Sequence, residues 1–460
     1  MPTVTKPRLI MLALAFVLTL TTMYSVKVIK QGADAYVFGY PLVLMELTRQ
    51  AMAADSEAGI GANSLSHMRI FPDHNFRHVV RPNDDTLYSI TWFDLSKEPM
   101  IISTPASNRY YVLPFMDAWT NVFATVGTNS TGNAPGHFVL VGPNWQGSLP
   151  EGVQEIKAPT NMVWMIGRVQ TNGKTDIPNV VAFQNKLAIT PLQKWHSKES
   201  NPTKSLEDMA DFQGQANPKA DIDELSAQTF FNTLSRLMAQ QPASNKDQAA
   251  LENLASIGLK PGVPFDMDIM NPLQKFLINQ AVSIANSKLH EAIDTQSASP
   301  KENGWMMWRD TIGQPGTNYK VRAGIALAGL GALPTTEAAY ASTSIDNHKQ
   351  ALMGNKQYKI HFPAGQMPPA KAFWSLTMYD VDGFMVESSI NRYLLGDRDT
   401  LTYNDDGSLD LYIQNTQPLT GQSNWLPAPK DQFTLLLRMY SLDTPFYDGS
   451  WQIPAIERLN

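Results

Sequence analysis

The feature that most constrains the fold of this chain is a set of strict period-two segments in its last third. Tyr358, Ile360 and Phe362 alternate with Lys359 and His361, and Leu409, Leu411 and Ile413 alternate with Asp410, Tyr412 and Gln414. Phe433, Leu435, Leu437 and Met439 alternate with Thr434, Leu436, Arg438 and Tyr440. Successive side chains of a strand point to opposite faces, so each segment reads as a strand with one buried and one more polar face. Asp406-Gly407 adds a turn signal of the I′ hairpin kind. Strands joined by turns, with no helices between them, predict an antiparallel jelly-roll-like sandwich. A helix over 318–342, carrying Val321, Ile325, Ala328 and Leu330, is expected to pack on it.

A second set of strand-like runs occupies 86–170: 110–115, 121–127, 137–141 and 162–169. Asn172-Gly173 after them is a hairpin signal. Before them, Tyr36, Val37, Tyr40, Val43, Leu44 and Leu47 recur at helical spacing over 32–53. Pro41 is expected to kink that helix or start a new turn. Between the two β regions the pattern is helical. Asp221 or Asp223 caps a stripe of Leu225, Phe230, Leu234, Leu237 and Met238, and 243–268 reads as a short helix and a Pro-Gly turn. Asn271-Pro272 opens a second long helix. Residues 199–220 read as an exposed linker. With 460 residues, more than one core is needed. The fold class is therefore α+β, mainly β, with two antiparallel β-sandwich or jelly-roll-like domains and a helical insert between them. The expected divisions are 1–25 as signal peptide or N-terminal anchor, 32–192 and 299–460 as the β domains, and 193–298 as the insert.

The chain has no cysteine, which excludes disulfides, thiolate metal sites and a Cys nucleophile. A net charge of −6 with no basic patch excludes the footprint of a nucleic-acid binder. Lys6 and Arg8 precede an apolar run from Leu9 to Leu20, a basic-then-apolar pattern too short for a comfortable membrane span. It predicts export to the periplasm or beyond. Because Thr22-Met23-Tyr24-Ser25 lacks a small-x-small cleavage pattern, an uncleaved inner-membrane anchor is the open alternative. Contact with a membrane is expected only through this segment.

The nucleophile-elbow, phosphate-loop and zinc-protease motifs are missing, and no cofactor is indicated. His74 and His78 are four apart, but Pro72 and Pro82 bracket them and they read as loop histidines. Two polar–aromatic blocks stand out: Arg81-Pro82-Asn83-Asp84-Asp85-Thr86-Leu87-Tyr88 and Phe373-Trp374-Ser375-Leu376-Thr377-Met378-Tyr379-Asp380. Such mixtures are costly to bury unpartnered and commonly line pockets. Asp85 and Asp117 are the candidate catalytic carboxylates, able to divide acid and base roles if their strands adjoin. Asn83, Tyr88, Trp119, Asn121, Arg322, Trp374, Tyr379 and Trp425 are the candidate ligand-binding residues. Each Trp serves equally as core, and Asp or Asn before a strand commonly binds backbone N–H groups. Arg322 and Arg438 lie in apolar stretches and call for carboxylate partners, with Asp117 and Asp380 as candidates, either as a structural tie or as an anion-binding site.

These residues resemble two known families. Asn83-x-Asp85-Thr86-x-Tyr88, Asp94-Leu95, Asp117-x-Trp119-Thr120-Asn121, Gly142-Pro143 and Arg168 are similar to the bacterial domain-of-unknown-function family 1254. Asn303-Gly304-Trp305, Asn318-Tyr319, the block at 372–380, Asp406-Gly407-Ser408, Asn424-Trp425-Leu426-Pro427-Ala428-Pro429 and Arg438-x-Tyr440 are similar to its usual companion, family 1214. The resemblance covers nearly all of 32–442. It implies a two-domain β-rich fold with a helical insert, often exported, and no settled reaction or catalytic residues. Two functions are compatible with this reading. One is an exported hydrolase-like enzyme acting on a small, partly apolar molecule. The other is a non-catalytic envelope protein that binds a ligand, glycan or protein.

Overall fold

A computed structural model of the full chain describes residues 6–54, 61–77, 80–207, 217–294, 301–307, 309 and 312–459. His78 lies outside the described residues. The chain opens with α1 (Lys6–Ala54). The first half then lays down β1 (Leu65–Met68), β2 (Thr86–Asp94), β3 (Met100–Thr104), β4 (Tyr111–Asp117), β5 (Val122–Gly127), β6 (Gly136–Val141), β7 (Gln154–Lys157), β8 (Met162–Gln170), α2 (Ile177–Gln184), β9 (Ala188–Pro191) and β10 (Thr203–Leu206). The helical segment holds α3 (Pro218–Asp223), α4 (Ala227–Gln240), α5 (Gln248–Ser256) and α6 (Pro272–Asp294). The second half adds β11 (Lys301–Glu302), β12 (Trp305–Met307), α7 (Tyr319–Gly329), β13 (Ala338–Thr343), β14 (Gln357–Phe362), β15 (Ala370–Tyr379), β16 (Leu394–Gly396), β17 (Leu409–Gln414), β18 (Trp425–Pro427), β19 (Thr434–Leu442), α8 (Thr444–Tyr447) and β20 (Glu457–Leu459).

The result is an α+β protein in which each half pairs a six-stranded with a four-stranded sheet over a common core. In the first half the orders are β10-β1-β2-β8-β4-β5 and β7-β6-β3-β9. Leu87, Phe93, Val163 and Met165 of the larger sheet meet Ile102, Phe138, Leu140 and Ile189 of the smaller. In the second half the orders are β11-β12-β13-β19-β15-β16 and β18-β17-β14-β20, with Leu376, Leu435 and Leu437 packed on Ile360, Leu411 and Ile413. The alternating segments 358–362, 409–414 and 433–440 are strands, as their period requires.

Several local expectations are corrected. Pairing is not wholly antiparallel: β1–β10, β6–β7 and β17–β18 run parallel. Each of these pairs is joined by ten or more residues, since a two-residue hairpin cannot join parallel strands. Residues 203–206, expected in a linker, thus form a sheet edge. The helix expected over 318–342 stops at Gly329, because Gly331 (φ +89°) and Pro334 end it and 338–343 is drawn between β12 and β19. Asn172-Gly173 makes no hairpin: the Asp176 carboxylate accepts the Asn172 N–H and pairs with Arg109, so the chain turns into α2. Asp406-Gly407 does turn (Gly407 φ +83°), but into β17 from a loop. The caps of α3 and α4 are Asn217 and Ser226, not Asp221 or Asp223.

α1 organises the helical layer. Pro41 neither ends nor restarts it. The cost of the lost backbone bond, about 3 kcal/mol, is offset by burial of its surroundings, with Tyr40, Leu42, Val43 and Met45 all fully enclosed. Gly32 lets α6 approach closely: a Cβ there would sit 2.7 Å from the Ala281 Cβ. Before Val28 the helix leaves the body, and Ile10, Leu14, Phe16 and Leu18 are exposed. This helix is long and apolar enough to cross a membrane.

Candidate functional site: a cavity between the halves

Period two positions the site. Along β8, Val163, Met165 and Val169 enter the sheet core, so Trp164, Ile166 and Arg168 face the other way. Along β19, Leu435, Leu437 and Met439 enter the core, so Leu436, Arg438 and Tyr440 face the other way. These second faces, roofed by α1, α6 and α7, enclose a cavity of about 820 Å³. That lies within the usual range for small-molecule sites. Its walls are mainly aliphatic, with Ile29, Val37, Ile90, Leu289, Ile293 and Ile325 among them. Exposed Lys30, Lys288 and Lys320 lie where it meets solvent, beside Val26 of α1.

The inner end is polar and cationic. Register places Tyr88 opposite Arg168 and Tyr340 opposite Arg438, one Arg–Tyr pair from each half. Arg168 donates to the carbonyls of Ile166 (2.9 Å) and Gly331 (2.8 Å). Arg438 donates to Thr377 Oγ1 (3.0 Å) and to the Arg81 carbonyl (2.6 Å). Among the described residues neither has a carboxylate within 4.0 Å. Burial works against the Arg438 charge, but Tyr379, Tyr440 and Asp85 outweigh it and its pKa is raised. Burial also raises Tyr88 and Tyr440, which keeps both phenols protonated. Tyr88 Oη accepts the backbone and side-chain N–H groups of Asn83, and Tyr340 Oη accepts the Leu333 N–H. Tyr440 Oη and Ser342 Oγ are buried with no partner. Asp34, paired with Lys30, is the one carboxylate among the described residues lining the cavity.

Of the ten residues singled out in the sequence, Asn83 and Tyr88 line this cavity. Asp85 lies outside it, fully buried in a joint between the halves. There Ser375 Oγ donates to its carboxylate and Arg398 forms an ion pair with it. Arg398 also donates to the carbonyls of Asp85 (3.1 Å) and Thr171 (3.0 Å). Tyr379 joins the same seam by donating to the Pro82 carbonyl. The two polar–aromatic blocks therefore meet, but Trp374, one residue from Ser375, points into the sheet core against Phe362. Trp425 is buried elsewhere, its indole N–H on the Gln414 carbonyl.

Asp117 is remote from Asp85. β2 and β4 flank β8 rather than each other, with Thr86 opposite Gln170 and Asp117 opposite Val163. Asp85 lies one residue further out, beside Thr171, so eight residues of strand separate the two positions by about 26 Å. Asp117 instead organises the β4–β5 turn, accepting N–H bonds from Trp119 and Asn121. Burial, partly countered by those bonds, pushes its carboxyl up to about 6. Trp119 packs on Phe38, with its N–H on the Gln241 carbonyl. The Asp partner expected for Arg322 is not in contact. Its guanidinium lies 5.0–5.5 Å from the rings of Tyr319, Trp119 and Phe38. Asp380 likewise pairs with Arg77 (3.5 Å), not Arg438.

The residues that sequence reasoning missed as lining are Arg81, Arg168, Tyr340, Ser342, Arg438 and Tyr440. Their signal was present: Arg438 and Tyr440 occupy the out-of-core positions of an alternating strand. Two sheet pairs bridged by helices thus wall a cavity shared by both halves. Residues 62–191 match the family described as Protein of unknown function (DUF1254), and 337–444 match Protein of unknown function (DUF1214). The chain belongs to the proteins that combine these two families in this order. A crystal structure of the VPA0106 protein from Vibrio parahaemolyticus is similar in fold: TM-score 0.66 at 24% identity, covering 94% of this chain and 100% of that one. An uncharacterised Burkholderia cenocepacia protein aligns over 96% of each chain at 11% identity, with a TM-score of 0.46. No curated protein matches the sequence.

Proposed function

We propose that this protein is a membrane-anchored envelope protein that holds a small apolar molecule in the cavity between its halves. The observation that carries the reading is the cavity itself, whose aliphatic walls come from both sheets and three helices. Its volume of about 820 Å³ and its aliphatic lining suit a small apolar ligand. An enzyme built on Asp85 and Asp117 has less support, since the two are about 26 Å apart by strand register and each is consumed by structural bonds. Lys6 to Lys27 of α1 spans about 33 Å of helix, close to the hydrocarbon thickness of a bilayer. The helix then continues without a break into the cavity wall, which favours an uncleaved anchor over a removed signal.

The binding test uses the purified full chain in a non-ionic detergent, titrated calorimetrically with dodecanol, beside a Gly324→Phe variant that plugs the cavity. Saturable binding by the wild type alone is expected; identical heats from both would end the reading. For the anchor, the protein should stay with membranes after a carbonate wash. A mature N-terminus near residue 25 would refute it.

A further inference from the structure

The inner end of the cavity has more hydrogen-bond donors than acceptors. Each of Arg168 and Arg438 offers five N–H groups; Arg168 gives two to the Ile166 and Gly331 carbonyls, and Arg438 gives its own to Thr377, the Arg81 carbonyl and Tyr379, so neither is used up. Tyr440 Oη and Ser342 Oγ are buried on the wall with no partner. Tyr88 and Tyr340 use their oxygens as acceptors, which leaves their own protons to donate. These groups converge: Tyr88 and Tyr440 each sense the charges of both Arg168 and Arg438. Arg81, φ +54°, adds a third guanidinium to the lining. A buried orphan hydroxyl costs about 1–3 kcal/mol, and a buried guanidinium whose carboxylate (Asp85, for Arg438) acts only from beyond contact keeps a desolvation penalty as well. Both penalties are relieved by one kind of group, an anionic oxygen cluster. Away from this end the walls are aliphatic as far as Val26 and Ile29, beside the lysines at the solvent boundary.

We infer that the ligand is a single-chain amphiphile with an anionic oxygen head, its head group held by Arg168, Arg438, Tyr440 and Ser342 and its acyl or alkyl tail lying between α1, α6 and α7. The assignment rests on the binding role proposed above. It adds polarity and direction: the head is buried and the tail points toward the membrane-anchoring helix. Two head groups share this chemistry, a carboxylate and a phosphate monoester.

The test compares dodecanoate, dodecyl phosphate, dodecanol and dodecylamine against the wild-type full chain by calorimetry in one detergent. Charge-assisted hydrogen bonds are roughly twice as strong as neutral ones. At least one of the two anions should therefore bind about tenfold or more tighter than the alcohol, and the amine should bind weakest. The tighter anion identifies the head. Tyr440→Phe keeps the ring stacked on Phe373 (4.3 Å) and removes one donor, so it should cut the preference for the anion over dodecanol several-fold. Arg168→Gln and Arg438→Gln should abolish the preference. Equal affinities for both anions and the alcohol in the wild type would overturn the assignment while leaving an apolar binding role intact. Failure of all four to bind above the Gly324→Phe background would remove that role as well.

Discussion

Replacing Arg398 by Gln separates a structural Asp85 from a chemical one. Asp85 is 0% exposed, and its carboxylate is held by Arg398 and Ser375, both from the other half of the chain. Removing the guanidinium leaves a buried carboxylate with one hydroxyl donor. Breaking a buried pair in this way costs about 3–5 kcal/mol. The carbonyls of Asp85 and Thr171 also lose their Arg398 donor, adding about 1 kcal/mol each. The Arg398 side chain is 15% exposed, so water replaces part of what is lost and a net cost of about 4 kcal/mol is expected. Asp85→Asn keeps the shape and the Ser375 contact and should cost less, about 1–3 kcal/mol. Because both substitutions break the same pair, the double variant should cost well below the sum, with a coupling of about 2 kcal/mol. Urea unfolding followed by tryptophan fluorescence reads all three. If Arg398→Gln unfolds at the wild-type midpoint, or the two costs simply add, the joint does not carry the stability assigned to it.

Four further outcomes are expected. Gly324→Leu introduces a Cβ at ordinary contact distance (3.5 Å) from Ile293. It should raise stability by up to about 1 kcal/mol through helix propensity while abolishing dodecanol binding, as read by thermal unfolding and calorimetry. Asp117 is raised to about 6 from 3.8, so between those values the folded state binds more protons than the unfolded one and stability falls as pH rises. Asp117→Asn should remove that slope in unfolding measured from pH 4 to 7. His67 is lowered to about 3 by burial and by Arg69, so its contribution has the opposite sign and is lost as pH falls below about 6.5; His67→Gln should flatten the acid side of the same profile. Gly32→Val would force α1 and α6 apart, since the 2.7 Å contact is with a rigid Ala281 Cβ. A loss of about 1–3 kcal/mol is expected, and an unchanged urea midpoint would show that the helices can slide.

Much of the strand content was legible because period two survives in single segments such as 409–414 and 434–439. The helix over 318–342 was not, because Ala338–Thr343 is rich in small residues that suit either state, and its place between two strands decides. The carboxylate pair failed for a topological reason. Asp85 and Asp117 both border strands paired with β8, but at opposite ends of it. The cavity residues were partly visible. Arg438 and Tyr440 could be assigned to the face opposite Leu437 and Met439, but nothing local shows that this face meets the corresponding face of β8.

The amino-acid pattern determined by itself that the chain would form two β regions with helices between them, which strand residues face outward from each sheet core, and that an apolar run precedes the first of those regions. These follow from side-chain alternation and helical spacing, which act over a few residues. The tertiary structure decided what the outward faces are for. It brought the Arg–Tyr pairs of β8 and β19 to one side and roofed them with α1, α6 and α7. It committed Asp85 to a joint rather than a reaction. Those outcomes depend on contacts between residues up to about 300 positions apart, such as Asp85 with Ser375 and Arg398, where strand order rather than local sequence sets who meets whom.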